Sequence, residues 1–159
     1  MKKPLDFIGV SVIDFQNNGS PGAFAGLART FGIPWILICD NDTGREQFIR
    51  QLKARGFSET ECTELFRPLP GKDVKLESFL FDNGFEGEYR QIISDRNIPL
   101  TSKEGTAESK EEILPLICGD KTGYTTSLIE KLRETGASES RVPQFFEAVI
   151  KDIIAKATL

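Results

Sequence analysis

One apolar run that ends abruptly at two acids limits what this chain can fold into. The run is Ile33-Pro-Trp-Ile-Leu-Ile-Cys-Asp-Asn-Asp42. Continuous apolar residues predict a strand buried on both faces, as in a parallel sheet that helices cover on each side. Asp40 and Asp42 then follow the carboxyl end of that strand, where α/β sheets bind their ligands, and their side chains point the same way. The pattern predicts two carboxylates that converge on one cation, although a simple polar turn has the same pattern.

The sequence before this run predicts a first βα unit. Residues 7–15 are rich in β-branched side chains and are followed by a turn, which is typical of a strand. Ser20 and Pro21 suit the N-cap and the first turn of a helix. The apolar stripe predicted for this helix consists of Phe24, Leu27, Ala28 and Phe31.

The sequence after the acids predicts a second helix. Thr43-Gly-Arg-Glu46 has the spacing of a capping box, in which the Thr and Glu side chains satisfy backbone N–H groups at the helix start. The helix is expected over residues 44–55 and ends at Gly56. Its predicted apolar face carries Phe48, Ile49 and Leu52.

The rest of the chain predicts one short strand followed by helices. Residues 63–69 are interpreted as a third strand, closed by the Pro70-Gly71 turn. A helix carrying Leu76, Phe79 and Leu80 is expected to stop at Asn83-Gly84. The later predictions are a helix carrying Phe85, Tyr89, Ile92 and Ile93, an exposed loop over residues 95–110, and helical segments over 112–118, 122–134 and 143–157.

Composition narrows the chemistry that the chain can use. A chain of 159 residues that is 39% hydrophobic is expected to form one domain. The net charge of -4 argues against a basic nucleic-acid footprint over the whole surface, but it does not exclude a nuclease. The absence of histidine excludes histidine triads and histidine metal ligands, so carboxylates and lysine must carry any chemistry.

The cysteines and the N-terminal sequence indicate the cellular compartment in which the protein is expected. Cys39, Cys62 and Cys118 make an odd number without CxxC spacing, which favours reduced core thiols in a cytoplasmic protein. No long apolar segment follows the start of the chain, so no signal peptide or membrane span is predicted.

Asp-x-Asp after an apolar strand occurs in haloacid-dehalogenase-like phosphatases, nucleotide-sugar glycosyltransferases and topoisomerase-primase (Toprim) domains. The phosphatase family uses the first Asp as a nucleophile on its first strand and has Gly and then Thr after the second, whereas here Thr43 precedes Gly44. The stretch Ile117-Cys-Gly-Asp-Lys121 is similar to that family's late Gly-Asp motif. A phosphatase therefore stays an alternative.

The order of motifs resembles the C-terminal Toprim nuclease region of the OLD (overcoming lysogenisation defect) family of ATP-dependent endonucleases. The resemblance covers almost the whole chain. It rests on Gly9-Val-Ser-Val-Ile-Asp-Phe15, on Gly32 to Asp42, on Leu76-Glu-Ser-Phe-Leu80, and on Lys121 at a helix start. It implies a Rossmann-like parallel sheet flanked by helices, with additional C-terminal helices, in a single Toprim-type domain over residues 1–159.

The resemblance also implies an activity and its residues. Metal-dependent DNA cleavage would use Mg²⁺ or Mn²⁺ held by Asp40, Asp42 and Glu77. Asp40, Asp42 and Lys121 would be the catalytic residues, with Lys121 steadying the charge of the transition state. Asp73 and Asp14 are further acids whose part in the site the sequence leaves open.

Two departures from the family pattern qualify these implications. The family's downstream element tends to pair two acids near its glutamate, whereas here Lys75 stands two residues before Glu77. Toprim domains carry a glutamate at the end of an earlier strand, and we expect that residue, like the N-terminal ATPase region that binds ATP, in sequence ahead of Met1. The chain contains no Walker A motif. We therefore expect the chain alone to be weakly active or inactive, and a degenerate Toprim-like domain that only binds a partner is the other alternative.

Overall fold

The structure is a computed structural model that describes residues 9–14, 20–136 and 141–157. Over these ranges the chain is mixed α/β and mostly helical, with two parallel strands, so the predicted α/β class is confirmed. The elements are α1 (Pro21–Phe31), β1 (Leu37–Cys39), α2 (Gly44–Ala54), α3 (Glu59–Leu65), β2 (Phe66–Pro68), α4 (Leu76–Leu80), α5 (Glu86–Asp95), α6 (Ala107–Gly119), α7 (Lys121–Glu134) and α8 (Gln144–Ala157).

The elements group into two compact units, each with its own core. Unit 1 contains α1 to β2 together with α8, and unit 2 runs from Lys75 to Pro143. The core of unit 1 is formed by Ala25, Leu37, Leu52, Phe57, Cys62 and Phe66. The core of unit 2 is formed by Phe81, Phe85, Tyr89, Ile92, Ile93, Ile113, Ile117, Tyr124 and Leu128. The single-domain organisation expected from the chain length stays a prediction.

Helix α1 begins where the sequence predicts. The Ser20 hydroxyl accepts a hydrogen bond from the Ala23 N–H at 3.4 Å, and Pro21 occupies the first turn. Gly32 ends the helix with a φ of 65°, a left-handed conformation that glycine adopts without steric cost. The segment 33–39 therefore leaves the helix at a defined point.

The apolar stripe predicted for α1 does not face the core. Phe31 is 71% exposed, whereas Ala25 is buried in the core of unit 1. Phe24 and Leu27 instead line an apolar cavity of about 530 Å³ together with Ile153 of α8. Three residues of the stripe thus share one apolar face, whereas the contact of α1 with α2 is made by a small residue, Gly22, against Gln51.

The strand predicted from the apolar run is confirmed, but its burial on both faces is not. Residues of β1 pair in parallel with β2, and the register is Leu37 with Phe66 and Cys39 with Pro68. Leu37 is buried in the core of unit 1, whereas Ile38 is 39% exposed. Alternate side chains of a strand lie on opposite faces, and the described part of unit 1 buries only the face of Leu37.

The strand predicted over residues 63–69 begins later than expected. Helix α3 continues to Leu65, and only Phe66–Pro68 forms β2. The reason lies upstream, where Ser58 accepts from the Glu61 N–H and the Glu61 carboxylate accepts from the Ser58 N–H. This capping box starts a helix through the first three residues of the predicted strand.

The strand predicted over residues 7–15 is not formed in its described part. Residues 7, 8 and 15 lie outside the described residues, and residues 9–14 form no strand. Gly9 has a φ of 79°, which breaks extended backbone, and the β-branched side chain of Val12 is 84% exposed. β-branched residues form a strand only where a neighbouring strand and a buried face support them.

Unit 2 contains the helices that the sequence predicts. Asn83 and Gly84 have non-helical backbone inside the kinked turn Phe81–Phe85, which separates α4 from α5 as expected. The predicted loop over residues 95–110 is shorter, since α5 includes Asp95 and the Thr106 hydroxyl caps α6 by accepting from the Ser109 N–H at 3.2 Å. In the described residues, no helix is long and apolar enough to cross a membrane.

Candidate functional site

The acidic turn after β1 is held by a neighbouring loop of unit 1. The Asn41 N–H donates to the Val74 carbonyl at 2.8 Å, and these two residues form an antiparallel bridge. The Asn41 side-chain amide also donates to the Gly71 carbonyl. The backbone and the side chain of Asn41 therefore both hold the turn in place. Asn41 lies between the two predicted metal ligands, Asp40 and Asp42. The Asp-Asn-Asp sequence marks a turn but gives no sign of this partner loop.

Asp42 starts helix α2 in place of the predicted capping box. Its Oδ1 accepts a hydrogen bond from the Gly44 N–H at 2.8 Å, whereas the Thr43 side chain makes no capping bond. The capping-box prediction was wrong because Thr43 has helical backbone (φ -61°, ψ -23°) instead of the extended backbone of an N-cap residue, and the carboxylate before it accepts from the Gly44 N–H. One oxygen of Asp42 is therefore used structurally, and among the described residues its Oδ2 receives no donor.

The end of β1 carries a negative potential. Burial, and to a lesser degree the charges of Asp40 and Asp42, raise the pKa of the Cys39 thiol to about 11, while Arg45 acts in the opposite direction. Both acids therefore act on the last residue of the strand. A carboxylate pair at this position attracts a cation, and divalent cations prefer such oxygen ligands.

Two other predicted site residues meet in unit 2. The Lys121 Nζ lies 2.9 Å from Oε1 of Glu77, which joins the first residue of α7 to α4. The Glu77 side chain is 12% exposed, and the Lys121 side chain is 49% exposed. Oε2 of Glu77 is buried and has no hydrogen-bond partner among the described residues. The resemblance implies separate roles for Glu77 and Lys121, and nothing in the sequence predicts that they pair.

The remaining acidic candidates occupy different settings. Asp14 and Asp73 are exposed, and Asp73 has a φ of 56° in the loop that holds Asn41. Asp120 caps α7, since its carboxylate accepts from the Gly123 N–H at 3.0 Å and from Arg96 at 2.8 Å. The hydrogen bond from Arg96 is the main reason that the pKa of Asp120 is lowered. Capping accounts for the Gly-Asp sequence on which the phosphatase alternative depends.

The fit of a divalent metal to these residues is partial. Asp40 and Asp42 offer carboxylate oxygens from one turn of unit 1, which suits a hydrated Mg²⁺ held by one or two carboxylates. Across residues 9–14, 20–136 and 141–157, no group of three or more His, Cys, Asp or Glu side chains is arranged to hold a metal ion. The described residues therefore fit a weak metal site better than a closed one.

The cysteines differ in their surroundings. All three are free; Cys62 is buried and Cys39 is half-buried, as expected of core thiols, but Cys118 is exposed. The core position predicted for Cys118 was wrong because this residue lies near the end of α6, on its solvent-facing side. None of these thiols belongs to a metal-ligand group in the described part of the chain.

Comparison with known proteins adds no assignment. No family model, no curated protein and no solved structure matches the chain.

Proposed function

We propose that this chain is a Toprim-type nuclease region that, with an ATPase region of the same protein, hydrolyses DNA phosphodiester bonds using Mg²⁺ or Mn²⁺. In this proposal the sheet belongs to a Rossmann-like fold of the OLD family. Asp40 and Asp42 bind the metal, and Glu77 and Lys121 are the further site residues. The proposal rests on the motif order in the sequence and on the setting of these residues within each unit.

The position of Asp40 and Asp42 directly after a parallel strand is the observation that carries the proposal. Ligands of α/β sheets bind at the carboxyl ends of the strands. The turn there is fixed through Asn41, and its charge acts on Cys39. A plain polar turn has no need for two acids that reinforce each other's negative potential, because like charges at short range are unfavourable.

A divalent cation at this turn would supply Lewis-acid activation and charge stabilisation for phosphate chemistry. Asp42 would use Oδ2, since Oδ1 is bonded to the Gly44 N–H. Keeping Oδ1 in that bond fixes the carboxylate orientation, which reduces the conformational entropy lost on binding. Two carboxylates alone give modest affinity for Mg²⁺, because this ion retains most of its waters.

A magnesium titration of the chain, followed by backbone amide NMR, tests the metal site. We expect chemical-shift changes concentrated over residues 40–44, with saturation at millimolar rather than micromolar magnesium. The variant Asp40→Ala/Asp42→Ala should lose them. Glu46→Ala is the matched control, because Glu46 is an exposed acid of the same helix start and makes no hydrogen bond in the described structure. Shifts that persist in the double alanine variant would remove the metal site.

A plasmid-nicking assay with Mg²⁺ or Mn²⁺ tests the chemistry separately. We expect little cleavage by the chain alone, because the described residues form no group of three or more metal ligands and two-metal hydrolysis needs two coordinated ions. Cleavage in the presence of the ATPase region should fall by at least about 100-fold in Asp42→Ala. An intact rate in that variant would contradict the nuclease proposal.

A domain that binds but does not cleave is the second candidate, and specific contacts favour it. One oxygen of Asp42 already caps α2, and one oxygen of Glu77 already pairs with Lys121. These bonds give both carboxylates structural roles. Magnesium-dependent shifts at residues 40–44, together with absent cleavage even when the ATPase region is present, would select this candidate.

A further inference from the structure

The ion pair between Glu77 and Lys121 joins a largely buried acid to a more exposed cation, an arrangement that the pair of Glu88 with Arg141 in unit 2 shares. In the pair of Lys110 with Asp82 both side chains are well exposed, and both Asp82 oxygens accept from the ammonium, at 2.7 and 2.6 Å. In the Glu77 pair the acid side chain is only 12% exposed, whereas the side chain of Lys121 is half-exposed. The Glu77 carboxylate thus holds the Lys121 ammonium at a position that dissolved anions can reach.

Stability alone does not explain this pair. Lys121 is the first residue of α7, where the helix dipole disfavours a positive charge. Burying Glu77 leaves its Oε2 without a donor, and an unsatisfied buried oxygen costs free energy. Gln51 Oε1 is the other buried side-chain oxygen in the described chain that lacks a partner. Partly buried ion pairs with such costs are weak contributors to stability.

Glu86 of unit 2, whose side chain is exposed to a similar degree, is satisfied differently. Glu86 accepts from the Ser109 hydroxyl and from the Gly105 N–H, so that several groups share its charge. Glu77 instead contacts Lys121 through Oε1, while its Oε2 has no hydrogen-bond partner among the described residues. A largely buried carboxylate beside a half-exposed ammonium is the arrangement expected when the acid orients the lysine side chain.

We propose that Glu77 is a positioning residue that holds the Lys121 ammonium for contact with a DNA phosphate, and that it is not primarily a metal ligand. This inference rests on the proposed function. Lys121 supplies the positive charge, and Oε1 of Glu77 restricts where its long side chain places that charge. Restricting a flexible lysine reduces the entropy lost when it meets the phosphate.

The sign of a change in DNA affinity tests this role. Replacing a surface acid by its amide normally tightens DNA binding, because it removes repulsion from the phosphates. Removal of a positioning acid should weaken binding instead. Fluorescence anisotropy of a labelled DNA duplex, in buffer containing Ca²⁺, measures Kd for the whole chain and its variants.

We expect Lys121→Met to raise Kd by about fivefold and Glu77→Gln to raise it by about threefold. Each variant should also reduce the slope of log Kd against log salt concentration by the amount of about one phosphate contact. In the Lys121→Met background, Glu77→Gln should weaken binding no further, since the residue it positions is gone. Glu77→Asp, which keeps the charge on a shorter side chain, should also weaken binding. Asp82→Asn is the matched control and should leave affinity unchanged or tighten it.

The outcomes separate this inference from the proposed function. If the parent chain binds DNA and Glu77→Gln tightens binding or leaves it unchanged, the positioning role is overturned. The same follows if Glu77→Gln weakens binding equally with and without Lys121. A parent chain that does not bind DNA at all would overturn the proposed function and this inference with it. Thermal unfolding of each variant shows that a lost affinity is not a lost fold.

Discussion

At the scale of single residues, hydrogen-bonded carboxylates fix loops of this protein. Glu112 of α6 holds the loop before that helix by accepting from the Thr101 N–H at 2.8 Å and from the Ser102 N–H at 2.9 Å. Both hydroxyls donate to the same carboxylate. The hydrogen bond from the Ser102 hydroxyl is the largest reason that the pKa of Glu112 is lowered to about 2.

These hydrogen bonds predict a pH dependence of stability. A lowered folded-state pKa means that the bonds stabilise the protein fully above the ordinary value of 4.5 and lose that effect as the pH falls from 4.5 to about 2. Glu112→Gln should therefore lower the Tm at neutral pH, and its Tm should converge with that of the parent as the pH falls through this range. Glu111→Gln, a change of the exposed neighbour, should show no such convergence. A constant Tm difference down to pH 2 would contradict the assignment.

The residue scale also shows what the sequence could and could not predict of the candidate site. The strand-end position of Asp40 and Asp42 follows from a local pattern, an apolar run stopped by two acids. The partners of these side chains do not. Asn41 bonds to a loop far along the chain, and Glu77 meets Lys121 from another helix. Such contacts depend on tertiary packing, which no spacing in the sequence encodes.

At the scale of elements, a glycine sets how closely two helices of unit 1 pack. An ideal Cβ on Gly22 of α1 would lie 3.0 Å from the carbonyl oxygen of Gln51 in α2 and 3.3 Å from its Cβ. Gly26, one turn further along α1, has no such neighbour, since its nearest atom would be 4.0 Å away on the Arg55 side chain. Close approach at Gly22 is possible because it lacks a side chain.

The two glycines of α1 predict opposite effects of the same substitution. Gly26→Ala should stabilise the protein by about 1 kcal/mol through helix propensity. Gly22→Ala should destabilise it by about 1–2 kcal/mol, because the added methyl forces the backbones of α1 and α2 apart. Urea unfolding gives both free energies. If both variants were stabilised alike, the helices would not pack as described.

Elements with strong local end signals were predictable, and those that depend on pairing were not. Ser20 and Pro21 predict the start of α1, and Gly56 predicts the end of α2, each within about two residues, whereas the capping box predicted at Thr43 does not form. Residues 9–14 and 63–65 are both expected in strands. The first segment pairs with no strand in the described ranges, and the second follows the capping box of Ser58. Strand formation is decided by distant neighbours, whereas helix ends are decided locally.

At the scale of the whole molecule, the two units differ in chain continuity. Unit 2 is one continuous segment from Lys75 to Pro143, whereas unit 1 needs α8 from the end of the chain. The pair of Arg67 with Asp152, at 3.0 Å, joins β2 to α8 within unit 1. The core of unit 2 is made wholly of its own side chains, including the fully buried Ile93 and Ile113. Continuity and a separate core are what an independently folding segment requires.

We therefore expect a fragment of residues 75–143 to fold alone into helices. Its circular dichroism should be strongly helical, and its thermal unfolding should be cooperative, because α5, α6 and α7 bury a shared apolar core. Within the fragment, Ile113→Ala should lower the free energy of unfolding by about 2–5 kcal/mol, because the Ile113 side chain is fully buried and its removal leaves a cavity. A loss of this size is enough to unfold a small domain.

The matched control for that substitution is Ile129→Ala, which removes the same atoms from a side chain of α7 that is already well exposed. It should change the free energy of unfolding by no more than about 0.5 kcal/mol. A fragment that melts gradually, or one in which both substitutions have equal effects, would show that the core of unit 2 is not self-sufficient. A cooperative fragment with the expected contrast would establish that the Glu77 and Lys121 pair can be tested on unit 2 alone, since the unit contains both residues.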